Sequence, residues 1–221
     1  MSDESIIAKQ SASLRRKLSD LNSSATVCVA SKYANIDHIR CLYEQGFRVF
    51  GENKVQDALT KIEGLKDLPD ISWHFIGHLQ RNKVRKILPH VDVIQSVDSF
   101  PLLEKINSIS VELNRQTKCY LQINIGKENN KTGFLPENFI ENKSKFFSFS
   151  NIQVQGIMVV APKLDDKNEL KLLFNHAFEL FQEMFENTET CQLSMGMSQD
   201  FDLAIESGAS MVRIGRMLFQ D

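Results

Sequence analysis

The chain begins with Ile6, Ile7, Leu14, Leu18 and Leu21 set among charged and polar residues. That near-3.6 spacing predicts a helix over residues 2–22. The pattern then changes. ATVCVASK (25–32) is a short β-rich run, and IDHIRCLYEQG (36–46) returns to helical spacing and ends on Gly46, a residue type that closes helices. The exchange repeats. RVFGEN (48–53) predicts a second strand and KVQDALTKIEGL (54–65) a second helix. SWHFIG (72–77) predicts a third strand, followed by a basic helix over 81–88. VDVIQSV (91–97) is a fourth, leading into SFPLLEKINSISVELNRQ, a long helix with Ser99 as N-cap and Pro101 in its first turn. KCYLQINI (118–125), NIQVQGIMVV (151–160), CQLSMGMS (191–198) and MVRIG (211–215) complete the strands, with helices predicted over about 166–186 and 199–207. Segment 127–150 holds Asn129, Asn130, Gly133 and Pro136, then a short helix candidate ending in KFFSFS.

Strands separated by helices pair in parallel, because a parallel neighbour needs a crossover. Eight βα units can close into a barrel, a fold that needs roughly 200 residues or more. The chain has 221. A doubly wound open sheet is the alternative, but its usual G-x-G-x-x-G first turn is absent. The expected architecture is therefore α/β: one TIM-type (β/α)8 barrel domain over residues 1–221, with an extra N-terminal helix. No linker, low-complexity stretch or internal repeat interrupts it.

Composition narrows the function. The net charge is −2, which argues against a strongly basic nucleic-acid binder. No apolar run approaches the roughly 18 residues of a membrane span, and the N-terminus lacks a signal-peptide core. The four cysteines, Cys28, Cys41, Cys119 and Cys191, form no C-x-x-C and read as structural thiols in a reducing compartment. A cytoplasmic protein is expected.

In a βα barrel the chemistry lies at the carboxyl ends of the strands. Those ends carry Lys32, Asn53, His78, Asn124, Met158, Ser198 and Arg213. There is no carboxylate pair of the kind glycoside hydrolysis requires. Lys32 ends the apolar run TVCVA. It is either a charge reaching solvent along its own methylenes or an amine nucleophile for a carbonyl. Ser198 stands at the predicted N-cap of the helix after strand seven, and Gly215 follows strand eight. Each alone is a plain cap or turn residue. Together they occupy the two loops with which barrels often bind phosphate. Arg213 and Gly215 share one face of strand eight, opposite Val212 and Ile214. An arginine inside a barrel needs an acceptor, such as a ring nitrogen or a carboxylate.

Other features read more simply. His74 and His78, four apart, would share a strand face, but no third metal ligand accompanies them. Arg81, Lys83, Arg85 and Lys86 read as a solvated helix face. HAFELFQEMF (176–185) reads as the face that packs on the barrel, and Asp165–Asp166 as a helix start.

Taken together, VASK (29–32), FGENKVQDA (50–58), WHFIGHLQRNK (73–83), QINIGKENNKTG (122–133), GIMVVAP (156–162) and LSMGMSQDFDLAIESGASMVRIG (193–215) resemble the pyridoxal phosphate (PLP) homeostasis protein family, also called proline synthetase co-transcribed homologues. The resemblance spans about residues 25–219. It implies the barrel of the alanine racemase N-terminal domain, with pyridoxal 5′-phosphate held as a Schiff base on Lys32. It further implies phosphate contacts from Ser198 and from Gly215 with its following backbone, and Arg213 at the pyridine nitrogen. Asn53 and His78 would line the pocket, and Met195 and Met197 would flank the cofactor. Three stretches depart from the family pattern. Tyr33-Ala34-Asn35 follows the lysine in place of a small polar residue and a proline. Arg216 follows Gly215 where Thr or Ser is usual, so a guanidinium replaces a hydroxyl. The chain ends in LFQD, without the usual Gly after Phe.

The resemblance implies a PLP carrier and buffer without a robust reaction of its own. Its partners would be PLP and PLP-dependent apo-enzymes, and it would be a monomer. A PLP-dependent amino-acid racemase is the rival. Racemisation needs a base on each face of the α-carbon, and racemase-like enzymes usually draw the second, a tyrosine, from an additional β domain. The three tyrosines here are Tyr33, Tyr43 and Tyr120, and no length remains after strand eight for such a domain. An arginine at the ring nitrogen also disfavours its protonation, which weakens the cofactor as an electron sink. A barrel for another phosphorylated ligand, with Lys32 as a plain cation, is the third possibility.

Overall fold

A computed structural model describes residues 3–219. Ser2 of the first predicted helix and the terminal Gln220 and Asp221 lie outside the described residues. The strands are β1 (Thr26–Ala30), β2 (Val49–Glu52), β3 (Ser72–Phe75), β4 (Val93–Val97), β5 (Thr117–Ile123), β6 (Ile152–Val159), β7 (Gln192–Met197) and β8 (Met211–Ile214). All are parallel, and they close in chain order, with β8 returning to β1 through Thr26 opposite Met211 and Val29 opposite Ile214. The open-sheet alternative is thereby removed.

Helices α1 (Asp3–Asp20), α2 (Ile36–Glu44), α3 (Val55–Gly64), α4 (Val84–Ile87) and α5 (Phe100–Glu112) precede β5. Then follow α6 (Pro136–Phe139), α7 (Lys143–Phe146), α8 (Lys167–Met184), α9 (Phe201–Glu206) and α10 (Arg216–Phe219). Capping explains several boundaries. Asn35 accepts from the His38 N–H to start α2, and Asp166 accepts from the Asn168 and Glu169 N–H groups to start α8. Ser99 holds the N-cap position of α5, but its hydroxyl donates to Asp98 instead of capping. The basic helix predicted over 81–88 forms as a 3-10 turn over Arg81–Lys83, the single turn α4 and a second 3-10 turn over Leu88–His90.

Alternation along each strand divides the core in two. Val29, Phe50, Phe75, Ile94, Leu121, Leu193 and Val212 point outward into the shell under the helices. Cys28, Val93, Tyr120, Met158 and Met211 point inward and fill the barrel. The Phe-rich helix α8 contributes Phe174, Phe181 and Met184 to the outer shell, as its spacing predicts. Segment 127–150, weakly patterned in sequence, is ordered by an aromatic cluster. Phe134, Phe139 and Phe146 pack against one another, and Phe134 and Phe146 also against Phe100 of α5, in mostly tilted or edge-on pairs at centroid separations of 4.8–6.3 Å. The four cysteines are unpaired thiols. No described helix is long and apolar enough to cross a membrane.

The loops at the carboxyl rim pack tightly. A Cβ added at Gly77, just past β3, would stand 2.2 Å from the carbonyl oxygen of Asn53. Backbone cannot yield as a side chain can. Gly77→Ala is therefore expected to lower the unfolding free energy by about 2–3 kcal/mol. Urea unfolding would show this as a lower midpoint at unchanged slope, and an unchanged midpoint would show that the rim is looser than described.

Candidate functional site

The carboxyl ends of the strands surround an open cavity of about 430 Å³. β1 ends at Ala30, and a 3-10 turn over Ser31–Tyr33 carries Lys32 to the cavity wall. The Lys32 ammonium lies 4.9 Å from the centre of the Tyr33 ring. Arg216 stands beside the same ring. Hydrogen bonds from Arg216 and then Lys32, together with the lysine's charge, hold the Tyr33 phenol below its ordinary pKa. The residue that departs from the family pattern after Lys32 is thus linked to the one that departs after Gly215.

Arg213 reaches the cavity from inside the barrel and is almost wholly buried. Its Nη1 donates to the carbonyl and hydroxyl of Ser194 at 2.7 and 3.0 Å, and its Nη2 donates to the Val159 carbonyl at 2.8 Å. Burial pulls its pKa below the usual guanidinium value, offset in part by the charge of Asp200. Asp200 is itself pushed upward by burial and accepts from the Met197 N–H at 2.6 Å. That bond shapes the β7–α9 loop over the cavity.

Arg213 ends a line of polar side chains through the barrel. Ser194 Oγ donates to Gln95 Oε1 at 2.7 Å, and Gln95 Nε2 donates to His74 Nδ1 at 2.7 Å. His74 Nε2 meets Ser72 Oγ at 3.2 Å. Burial, and then the charge of Lys118, lower the His74 pKa to about 3, so the ring is neutral and can accept at Nδ1. The amide of Gln95 can only donate through Nε2 and accept through Oε1, so a neutral His74 accepting at Nδ1 fixes the direction of the bonds up to the guanidinium.

The phosphate loops predicted from sequence do meet, with one change. Ser198 is not the N-cap of α9, a position held by Asp200. Its hydroxyl faces β8 instead and accepts long bonds, 3.4 Å each, from the N–H groups of Gly215 and Met217. A Cβ at Gly215 would lie 3.1 Å from the Ala30 carbonyl oxygen, so glycine lets the two strand ends close. Backbone N–H groups, a hydroxyl and the Arg216 guanidinium at one end of the cavity suit a phosphate. Lys32 stands at the wall and Arg213 at the floor. The donor set fits PLP.

The structure brings together Lys32, Asn53, Met197, Ser198, Arg213, Gly215 and Arg216. Two predicted residues stand apart. Met195 is fully buried in the outer shell, because its neighbour Ser194 takes the inward position on β7. It cannot flank the cofactor. His78 lines a neighbouring cavity of about 340 Å³ with Asn53, Lys54, Lys83 and Lys86, and its Nδ1 lies 3.0 Å from Asp98. The expected shared face of His74 and His78 fails because β3 ends at Phe75. Asn124 serves its own loop, accepting from the Glu128 N–H and donating to the Glu128 and Lys131 carbonyls. Sequence reasoning missed Asp200 and the Gln95–Ser194 pair. The inward strand positions of Gln95 and Ser194 were the available signal.

Residues 7–221 match the family model of the alanine racemase N-terminal domain. The pyridoxal phosphate homeostasis protein of Aquifex aeolicus is 40% identical over 86% of this chain and 84% of that protein. The protein of the same name from Mus musculus is 36% identical over 94% of this chain and 81% of its own length. PipY of Synechococcus elongatus PCC7942, solved with PLP bound, is 38% identical and superposes with a TM-score of 0.85 over 97% of this chain and 100% of its own. An alanine racemase from Clostridium difficile, 14% identical, shares the fold at a TM-score of 0.76 over 94% of this chain and 56% of its own.

The polar line has a pH signature. Folded His74 stays neutral down to about pH 3, whereas in the unfolded chain it takes a proton near its ordinary value of 6.5. Between those values the unfolded state binds more protons, so stability falls as pH falls. From pH 6 to pH 5 the expected loss from His74 is about 1 kcal/mol. Urea unfolding at the two pH values should show it in the native protein and not in His74→Gln. An equal loss in both would assign it elsewhere.

Proposed function

The chain belongs to the pyridoxal phosphate homeostasis family, built on the alanine racemase N-terminal-domain barrel, and from that premise we propose that it binds pyridoxal 5′-phosphate at this cavity as a cofactor carrier and buffer. One observation carries the reading: Lys32, buried Arg213 and the Ser198–Gly215 loop pair converge on a single cavity. When bound, the cofactor supplies an aldehyde that condenses with a lysine amine, releasing water, and a phosphate dianion. Lys32 Nζ holds it as a Schiff base, which requires the neutral amine. The Ser198 hydroxyl and the backbone N–H groups of Gly215 and Met217 hold the phosphate, and Arg216 adds the positive charge that the usual hydroxyl would not. Arg213 would face the pyridine nitrogen, where its fixed charge would oppose protonation and leave the ring a weak electron sink. Asn53 and Met197 complete the walls.

A carrier is favoured over a racemase by where the tyrosines stand. Tyr33 shares the turn of Lys32 and is not placed across from it by a separate element. The Tyr43 hydroxyl donates to Asp70, and Arg48 lies over its ring 3.9 Å from the centre, on the outer surface. Tyr120 is buried in the barrel interior, where burial raises its phenol pKa. None of the three is set to act as a base on the face opposite Lys32. In this reading the protein is a monomeric, cytoplasmic carrier that passes PLP to apo-enzymes, and its unpaired cysteines fit a reducing compartment.

Added PLP should turn the purified protein yellow, and Lys32→Ala should stay colourless. Borohydride should fix the cofactor to the Lys32 peptide, as read by mass spectrometry. Phosphate-dependent binding without any trapped adduct would replace this reading with that of another phosphorylated ligand. Interconversion of L- and D-alanine at enzyme-like rates, abolished by Lys32→Ala, would make the protein a racemase.

A further inference from the structure

Lys32 is exposed and has no ion-pair partner among the described residues; its ammonium lies 4.9 Å from the ring centre of the adjacent Tyr33, on the same turn. Its reach into the cavity is therefore set by its backbone. That backbone is held from behind. Ser31 is fully buried, and its hydroxyl approaches Glu52 Oε1 at 2.7 Å and the Gly51 carbonyl at 3.2 Å. The Ser31 carbonyl accepts from Lys61 Nζ at 2.7 Å, and the same ammonium contacts Glu52 Oε1 at 2.5 Å. Glu52 is 1% exposed and Lys61 12%. Alternation explains the arrangement. Gly51 faces the barrel interior toward Cys28 and Ile76, so Glu52 faces out toward α3, where Lys61 meets it.

A buried ion pair is a poor source of stability, because desolvation offsets most of the attraction. It is a good source of geometry, since either charge would be left buried and uncompensated if the other moved; here both contacts fall on Glu52 Oε1, while Oε2 is buried without a partner. This pair grips the residue next to Lys32 by its hydroxyl and its carbonyl, and it lies outside the cavity wall.

We propose that Ser31, Glu52 and Lys61 form a clamp that positions Lys32 for covalent capture of the cofactor. Glu52 and Lys61 are positioning residues that touch no ligand. The inference rests on the PLP reading above and adds to it what sets the lysine's reach. When the clamp is broken, the turn keeps its place in the chain but Lys32 Nζ samples positions away from the aldehyde. The phosphate and ring contacts, made by β7 and β8, are untouched.

The test is a double-mutant cycle on the full-length protein. Glu52→Gln should slow formation of the yellow band on mixing with saturating PLP by about ten-fold, since displacement near 1 Å can cost that much or more. In a Lys32→Ala background, where only non-covalent binding remains, the same substitution should leave PLP affinity within about two-fold, following additivity at independent sites. Ser31→Ala breaks the clamp with a smaller change and serves if Glu52→Gln does not fold. Lys61→Arg should retain more of the rate than Lys61→Met. Wild-type rates in both Glu52→Gln and Ser31→Ala would overturn the clamp. So would an equal loss of affinity in both backgrounds, which is what general loosening of the barrel predicts. A colourless wild-type protein would overturn the PLP reading, and the clamp with it. A yellow wild-type protein with unaffected variants would overturn the clamp alone.

Discussion

A guanidinium does not give up its proton in a protein, so Arg213 enters the barrel as a permanent charge that must be satisfied where it lies. It is 7% exposed, and among the described residues no carboxylate is its hydrogen-bond partner. The neutral acceptors it uses, Ser194 and the Val159 carbonyl, must each be held in place by something else. Ser194 is held by Gln95, Gln95 by a neutral His74, and His74 by Ser72 near the opposite end. The interior of this barrel is a directed hydrogen-bond line with apolar packing around it. Cys28 and Met211 press their sulfur atoms against the Gln95 amide, which leaves it little freedom to turn. A charge held this way is a fixed part of the floor.

The cavity above that floor combines parts of different stiffness. Arg213 is set by the barrel. Gly215 is set by the closure of β8 on β1, where an added Cβ would stand only 3.1 Å from the Ala30 carbonyl oxygen. Lys32, by contrast, projects from a short turn into solvent, and its neighbours Tyr33 and Arg216 are also exposed. On the proposed reading, this fixed floor with an exposed amine above it would suit uptake and release of a cofactor.

Much of the fold was legible along the chain because the signal was local. Period-2 runs gave the eight strands within a few residues, and helical spacing with Gly46 and Asp166 at the ends gave α2 and α8. The failures share one cause. On an extended strand His74 and His78 would share a face, but β3 ends at Phe75, three residues before His78. Met195 and Met197 share one motif, but Met195 packs in the outer shell while Met197, past the register shift that follows Ser194, lines the cavity. Ser198 looked like a helix cap because Ser before a helix usually is one. In each case the residue type suggested the role, and the local backbone path, set by contacts distant in sequence, decided otherwise.

By itself the sequence determined that this is a parallel eight-stranded α/β chain, that Lys32, Ser198, Arg213 and Gly215 lie at strand ends, and, through its motifs, which family it resembles. Those properties follow from spacing and residue type, which are carried by neighbouring residues. Only the tertiary structure decided that β8 closes on β1, that Ser194 faces Gln95 across 99 residues of chain, and that Glu52 and Lys61 grip Ser31 behind the cavity. These contacts depend on which side of each strand faces inward once the barrel is closed. No window of the sequence contains both partners of such a contact, so the pairing is settled only when the whole barrel forms.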